Sequence, residues 1–196
     1  MSASDQIEPL EDLLAKIRGC RACSDSLPLG PRPVLQISPS ARILIASQAP
    51  GTKVHESGIP FDDASGDRLR DWMGVSADEF YDARRVAIVP MGLCYPGRGA
   101  SGDAPPRPEC APLWRGRIMA QLRDLRLTLL VGSYAQVDRL GRGAMTERVR
   151  RYRDHLPEVL PLPHPSWRSQ VWMKRHPWFE EMVLPALRGA VREALA

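Results

Sequence analysis

Short apolar runs alternate with amphipathic segments along this chain of 196 residues. Four runs have the uninterrupted apolar character of buried strands, and they occupy residues 42–47, 86–91, 127–131 and 158–162. Helices are predicted where apolar residues recur at helical spacing: residues 7–19, 65–73, 112–122, 133–140, 145–155 and from Trp178 onward. Because strands alternate with helices, the pattern predicts an α/β three-layer sandwich around a central four-stranded, mostly parallel sheet.

The chain shows no internal repeat and no linker that would divide it. A Pro/Ser-rich connection at 24–40 and a Gly/Pro-rich loop at 95–108 lie between apolar segments, which is typical of ordered loops. The length suits one hydrophobic core. We therefore expect a single domain over residues 1–196, present as a monomer.

Hydropathy and charge limit the cellular compartment and the partners that can be expected. No apolar run approaches the roughly 20 residues of a membrane helix. Residues 1–12 lack the apolar core of a signal peptide, so a cytoplasmic protein without a membrane partner is expected. The net charge is +4 and the basic residues are mostly arginine. Arginine binds phosphate well, which makes nucleic acid a candidate partner, although so small a charge identifies no ligand.

All four cysteines fall into two widely separated groups. Cys20 and Cys23 form a C-x2-C pair, and Cys94 and Cys110 follow with fifteen residues between them. Four thiolates can surround a tetrahedral metal ion or an iron–sulfur cluster. Buried or redox-active thiols are one alternative, and disulfides, which are rare in the cytosol, are another.

Two loops with unusual chemistry follow predicted strands. Residues 47–51 come after the first strand, and residues 163–168 come after the last. In parallel sheets the ligand site lies beyond the carboxyl ends of the strands. We therefore expect the two loops to converge and to form a functional site.

The order and spacing of four elements resemble the uracil-DNA glycosylase superfamily. These elements are Ser47-Gln48-Ala49-Pro50-Gly51, Gly58-Ile59-Pro60-Phe61, Ser65-Gly66 and His164-Pro165-Ser166. The resemblance covers residues 20–168 when the cysteines are included, and their pattern is similar to the branch that carries a [4Fe-4S] cluster. It implies a four-stranded parallel sheet flanked by helices, and excision of a base from DNA. Zinc is the competing occupant of the four thiols.

The resemblance also implies roles for individual residues. Phe61 would stack on the extruded base, and His164 would donate a hydrogen bond to the base oxygen on which negative charge develops. The alternatives are that Phe61 packs in the core and that His164 caps a strand end. The backbone of the first loop would hold base or phosphate through Gln48, Ala49, Pro50 and Gly51.

The loop after the last strand would contact DNA through Ser166, Trp167 and Arg168. Arg168 would bind phosphate. Trp167 could wedge into the vacated base stack. Nearby Trp172 and Trp178 favour the alternative that Trp167 packs in an aromatic cluster.

The chain departs from the family pattern at two positions. The iron–sulfur branch carries Glu where this chain has Gln48, and an amide cannot act as a base. Asp63 is the preferred substitute, with Asp62 next, and capping of the following helix is the alternative for both. The family also has an Asn shortly before the third cysteine, whereas residues 90–93 are Pro-Met-Gly-Leu. We therefore expect base recognition to differ, with Gln48 taking over part of it.

The sequence therefore predicts a DNA glycosylase that hydrolyses the N-glycosidic bond of uracil or another damaged base. Asp63 and His164 are its predicted catalytic residues, and DNA containing a damaged base is its predicted partner. A catalytically inactive nucleic-acid-binding protein of the same fold is the alternative. A metal-stabilised α/β protein with an unrelated small-molecule pocket is the third hypothesis.

Overall fold

The computed structural model describes residues 7–100 and 102–196. Residues 1–6, part of the segment that bears on a signal peptide, and Ser101, within the predicted loop 95–108, lie outside this description. The strands are β1 (Ile43–Ser47), β2 (Val86–Pro90), β3 (Arg98–Gly99), β4 (Gly102–Asp103), β5 (Leu127–Val131) and β6 (Val159–Leu162).

The main sheet has four strands in the order β2-β1-β5-β6, and every neighbouring pair is parallel. The register places Ile88, Ile45, Leu129 and Leu160 side by side across the sheet. All four side chains are buried on the same face. The predicted four-stranded parallel sheet is thus confirmed, and the four apolar runs supply its strands.

Helices cover both faces of the sheet. The α-helices are α1 (Leu10–Arg18), α2 (Thr52–Ser57), α3 (Ala64–Met73), α4 (Ala77–Tyr81), α5 (Cys110–Gln121), α6 (Ser133–Leu140), α7 (Met145–Arg150), α8 (Trp167–Arg175) and α9 (Leu184–Leu195). Helices α3, α7 and α9 pack on one face, and α1, α5 and α6 on the other. This arrangement confirms the α/β three-layer architecture. Among the described helices, none combines the length and the apolar character needed to cross a bilayer.

Burial on both faces explains the uninterrupted apolar strands. Ile45 belongs to one core with Trp72 and Phe179, whereas its neighbour Leu44 belongs to the opposite core with Trp114. Successive strand residues point to opposite faces, so both faces need apolar side chains when both are covered. Burying one such side chain stabilises the fold by roughly 1.5–3 kcal/mol.

Several short elements differ from the sequence prediction. Helices α2, α4 and α8 fall in segments predicted as loops or left unassigned, and β3 and β4 form a hairpin inside the predicted loop 95–108. The predicted helix 145–155 divides into α7 and a 3-10 turn at Tyr152–Asp154. Helix α4 begins with a capping box between Ser76 and Glu79, a signal that the sequence carries. The other short elements, α2, α8, β3 and β4, show no clear periodicity of apolar residues in the sequence.

A glycine in α3 allows an unusually close approach between this helix and the loop before it. A Cβ built on Gly66 would overlap the carbonyl oxygen of Phe61 and lie 2.8 Å from its carbonyl carbon. Gly116 in α5, by contrast, has open space at the same point. The Ser65-Gly66 pair therefore has a packing role that sets the position of Phe61.

We expect the Gly66→Ala substitution to lower the free energy of unfolding by roughly 1–3 kcal/mol, because the new methyl group must displace the Phe61 carbonyl. Urea denaturation followed by circular dichroism measures the change. Gly116→Ala is the matched control and should raise stability by roughly 0.5–1 kcal/mol through helix propensity. Similar effects of the two substitutions would contradict the packing argument.

Candidate active site

A pocket of about 540 Å³ lies at the carboxyl ends of the sheet strands. Its walls come from segments at the ends of all four: residues 47–51 after β1, Pro90 at the end of β2, Tyr134 after β5, and residues from 164 to 168 after β6. This volume is within the usual range for small-molecule and cofactor sites. The predicted convergence of the first and last loops is confirmed.

The ten preferred candidates for catalysis, base binding and DNA binding all line this pocket. The set consists of Gln48, Ala49, Pro50, Gly51, Phe61, Asp63, His164, Ser166, Trp167 and Arg168. Asp62, the second choice for the carboxylate, is exposed and is not part of the pocket lining. Topology therefore unites residues that are separated by more than one hundred positions, while their roles stay predictions.

Phe61 has a strained backbone that fixes its ring at the pocket wall. Its φ is +57°, which is uncommon for a residue other than glycine. The Tyr81 hydroxyl donates a hydrogen bond of 3.3 Å to the Phe61 carbonyl, and Arg70 donates to that hydroxyl at 3.0 Å. The ring meets Phe80 edge-on, with 6.1 Å between centroids. Such strain persists only where the surroundings enforce it, and it is frequent at functional sites.

Asp63 is the N-cap of α3. Its Oδ1 accepts hydrogen bonds from the backbone N–H groups of Ser65 at 2.8 Å and Gly66 at 3.0 Å. The capping role that competed with catalysis for Asp63 is therefore present, and it engages one of the two carboxylate oxygens.

His164 follows β6, is half-buried and lines the pocket. Gly132, at φ +85°, leaves room beside it: a Cβ there would stand 3.4 Å from the His164 Cβ. The buried Gln136 side chain donates to the Leu162 carbonyl at 2.8 Å and so steadies the end of β6. Burial lowers the pKa of His164, and the negative charges of Asp63 and Asp103 oppose part of that shift. The buried environment therefore favours the neutral imidazole.

The loop after β6 is tied to α3 and presents an aromatic side chain to solvent. Arg68 donates a hydrogen bond of 2.8 Å to the Pro165 carbonyl. Trp167 is 68 % exposed, and the Arg168 guanidinium lies 5.5 Å from its ring centroid. The aromatic cluster forms instead around Trp172 and Trp178, without Trp167. The prediction that Trp167 packs in this cluster is therefore wrong, because α8 points it away from the core.

The β3–β4 hairpin adds a residue that sequence reasoning missed. Gln48 Nε2 donates a hydrogen bond of 3.2 Å to the Ala104 carbonyl, which fastens the hairpin to the first loop. Asp103 at the end of β4 thereby lines the pocket. Asp103 lies in a segment predicted as a Gly/Pro-rich loop, where no helix or strand periodicity indicates the position of the aspartate. The Gln48 amide, expected to read the base, has a structural partner.

The four cysteines come together away from the pocket. All are free thiols, and Cys20, Cys23, Cys94 and Cys110 line one small cavity. Burial raises the pKa of Cys94 to about 11, and the other three thiols contribute in the same direction. The backbone N–H of Leu93 donates to the Cys110 sulfur at 3.3 Å. Within residues 7–100 and 102–196, no group of three or more His, Cys, Asp or Glu side chains is arranged to hold a metal ion.

The parallel sheet and the pocket at its carboxyl edge define an α/β protein with a ligand site at the strand ends. The family model described as "Uracil DNA glycosylase superfamily" matches residues 35–188. The chain belongs to this superfamily. The match is to the superfamily as a whole, so assignment to its iron–sulfur branch stays a prediction.

We expect His164 to titrate below the ordinary histidine pKa of about 6.5. The unfolded state then binds this proton more readily, so the stability contributed by His164 falls as pH drops through 6.5 toward the lowered pKa. NMR titration of the imidazole Cε1–H signal, assigned by its loss in His164→Gln, measures the pKa. A value above 6.5 would mean that the two carboxylates outweigh burial, and the imidazole would then be partly charged near neutral pH.

Proposed function

We propose that this protein is a DNA glycosylase that hydrolyses the N-glycosidic bond of uracil or another damaged base. One observation carries the proposal: an aromatic ring, a histidine and two carboxylates line one pocket at the strand ends. Membership of the uracil DNA glycosylase superfamily supports it. The family's substrate, DNA, is accordingly the proposed partner.

The chemistry requires the target nucleotide to leave the base stack and enter the pocket. Phe61 would stack on the base. A neutral His164 would donate a hydrogen bond to the base oxygen that gains negative charge as the bond breaks. The electron pair of the glycosidic bond leaves with the base, water supplies oxygen to C1′ of the sugar, and a carboxylate accepts the proton from water.

The rim of the pocket suits contact with the DNA strand. Trp167 is exposed beside the opening and can fill the gap left by the extruded base. The Arg168 guanidinium lies next to it, and guanidinium groups make strong charge-assisted hydrogen bonds to phosphate. These positions support Ser166, Trp167 and Arg168 as the proposed DNA-binding residues.

Base selection in this protein would differ from that of family members that carry an Asn side chain near the end of β2. Pro90 occupies that strand end and lines the pocket, and proline has no N–H to donate. The Gln48 amide is held by the hairpin. We therefore propose weaker discrimination between related bases, since such selectivity depends on paired polar groups.

We also propose that the four cysteines hold a [4Fe-4S] cluster. The donor set fits, because four thiols line one cavity whose other walls include Leu27, Leu93 and Trp114. Zinc is the competing occupant, since four thiolates also suit one tetrahedral zinc ion. When bound, it would link the N-terminal segment to the middle of the chain and need not react.

We expect the protein to leave alkali-labile abasic sites in oligonucleotides that contain uracil, hypoxanthine or xanthine. His164→Ala should reduce the single-turnover rate by about 10²–10³-fold, the usual loss of one donor to a developing anion. His155→Ala, outside the pocket lining, is the matched control. Full activity of His164→Ala would refute its role. Tight binding without excision on every substrate would favour the binding-only alternative, for which the Gln48–Ala104 contact is the supporting observation.

Protein purified under anaerobic conditions should contain about four irons and four sulfides per chain, with a broad visible absorbance. Cys94→Ser should abolish the iron content and lower stability, because one ligand of the cross-link is lost. Iron, sulfide and zinc analysis on the same sample measures the outcome. One zinc per chain without iron would establish the competing zinc site.

A further inference from the structure

The β3–β4 hairpin lies between the third and fourth cysteines and projects a carboxylate into the pocket. Asp103 pairs with Arg98 across the hairpin. The hydrogen bond from Gln48 to Ala104 fastens the following residue to the first loop. A Cβ built on Gly51 would lie 3.4 Å from Asp103 Oδ2, so the carboxylate faces this loop directly. Its position is therefore defined by the fold, although the hairpin is exposed.

The two pocket carboxylates differ in how far they are engaged. Asp63 Oδ1 accepts two backbone hydrogen bonds as the cap of α3. Among the described residues, none donates a hydrogen bond to the Asp103 side chain. A carboxylate that caps a helix is held in one orientation, whereas a general base must accept a proton from water during the reaction.

Charged groups face Asp103 from several elements. Loss of water contacts in the pocket raises its pKa, and the charge of Asp63 acts in the same direction. Arg98 and His164 oppose this shift. The Arg168 guanidinium lies beside the neighbouring Gly102. The net effect raises the pKa of Asp103, which makes it a stronger proton acceptor than an ordinary surface aspartate.

We propose that Asp103, rather than Asp63, is the catalytic carboxylate of this pocket. It would stabilise the positive charge that develops on the sugar and accept a proton from the attacking water as oxygen bonds to C1′. The base leaves with the electron pair of the broken bond, and His164 stabilises it. This inference rests on the proposed glycosylase function. It also accounts for Gln48, since the amide that replaces a family carboxylate holds the hairpin that supplies another.

We expect Asp103→Asn to reduce the single-turnover excision rate by about 10²-fold or more, as loss of a general base does. Asp63→Asn should stay within about tenfold of wild type, because asparagine caps helices nearly as well as aspartate. Asp124→Asn, at an exposed position outside the pocket lining, controls for the loss of one negative charge. Thermal unfolding of each variant separates misfolding from lost chemistry. An active Asp103→Asn beside an inactive, folded Asp63→Asn would overturn the assignment.

Binding measurements give a readout that does not require turnover. Fluorescence anisotropy compares an oligonucleotide carrying a cationic pyrrolidine abasic-site analogue with one carrying neutral tetrahydrofuran. Wild type should bind the cationic analogue more tightly, since it mimics the charged sugar, and Asp103→Asn should lose about tenfold of this preference.

The outcomes separate the two proposals. Retention of the full preference in Asp103→Asn would overturn the cation-stabilising role, whatever its excision rate. Excision by wild type and equally by Asp103→Asn would overturn this inference and leave the glycosylase function standing. A wild type that neither excises any tested base nor prefers the cationic analogue would overturn both.

Discussion

The parallel sheet buried on both faces is the constraint on which the rest of this structure depends. Parallel neighbours need crossover connections, and here helices supply them on both sides. Both faces of every strand are then apolar, as in the row formed by Ile88, Ile45, Leu129 and Leu160. Polar chemistry is displaced to the strand ends. The carboxyl ends lie at one edge, so loops distant in sequence meet around one pocket.

Tertiary contacts hold one residue of the pocket wall in a backbone conformation that is unfavourable by itself. Phe61 adopts a left-handed backbone conformation, and the Tyr81 hydroxyl and the close packing of Gly66 keep it there. Asp63 caps α3 immediately beside it. The same few residues therefore start a helix, position an aromatic ring and line the cavity. Strain in one residue is offset by the cap and the core around it.

Much of the fold and part of the site followed from local patterns. The four apolar runs predicted every strand of the main sheet, because a strand buried on both faces consists of consecutive apolar residues. Gln48 and His164 could be placed in one site because each follows such a strand. Helices α2, α4 and α8 were missed, since short helices depend on caps and tertiary contacts more than on periodicity. Trp167 was misplaced because neighbouring tryptophans do not reveal which way a helix faces.

By itself the sequence determined the strands, the parallel α/β class, the loops at the strand ends and the superfamily resemblance. Burial and short motifs determine these features, and both can be recognised within a short stretch of sequence. Only the tertiary structure decided that Asp103 enters the pocket, that Gln48 anchors its hairpin and that the four cysteines share one cavity. Such placements depend on strand order and on the path of a Gly/Pro-rich segment. Contacts distant in sequence set both, and no local period encodes them.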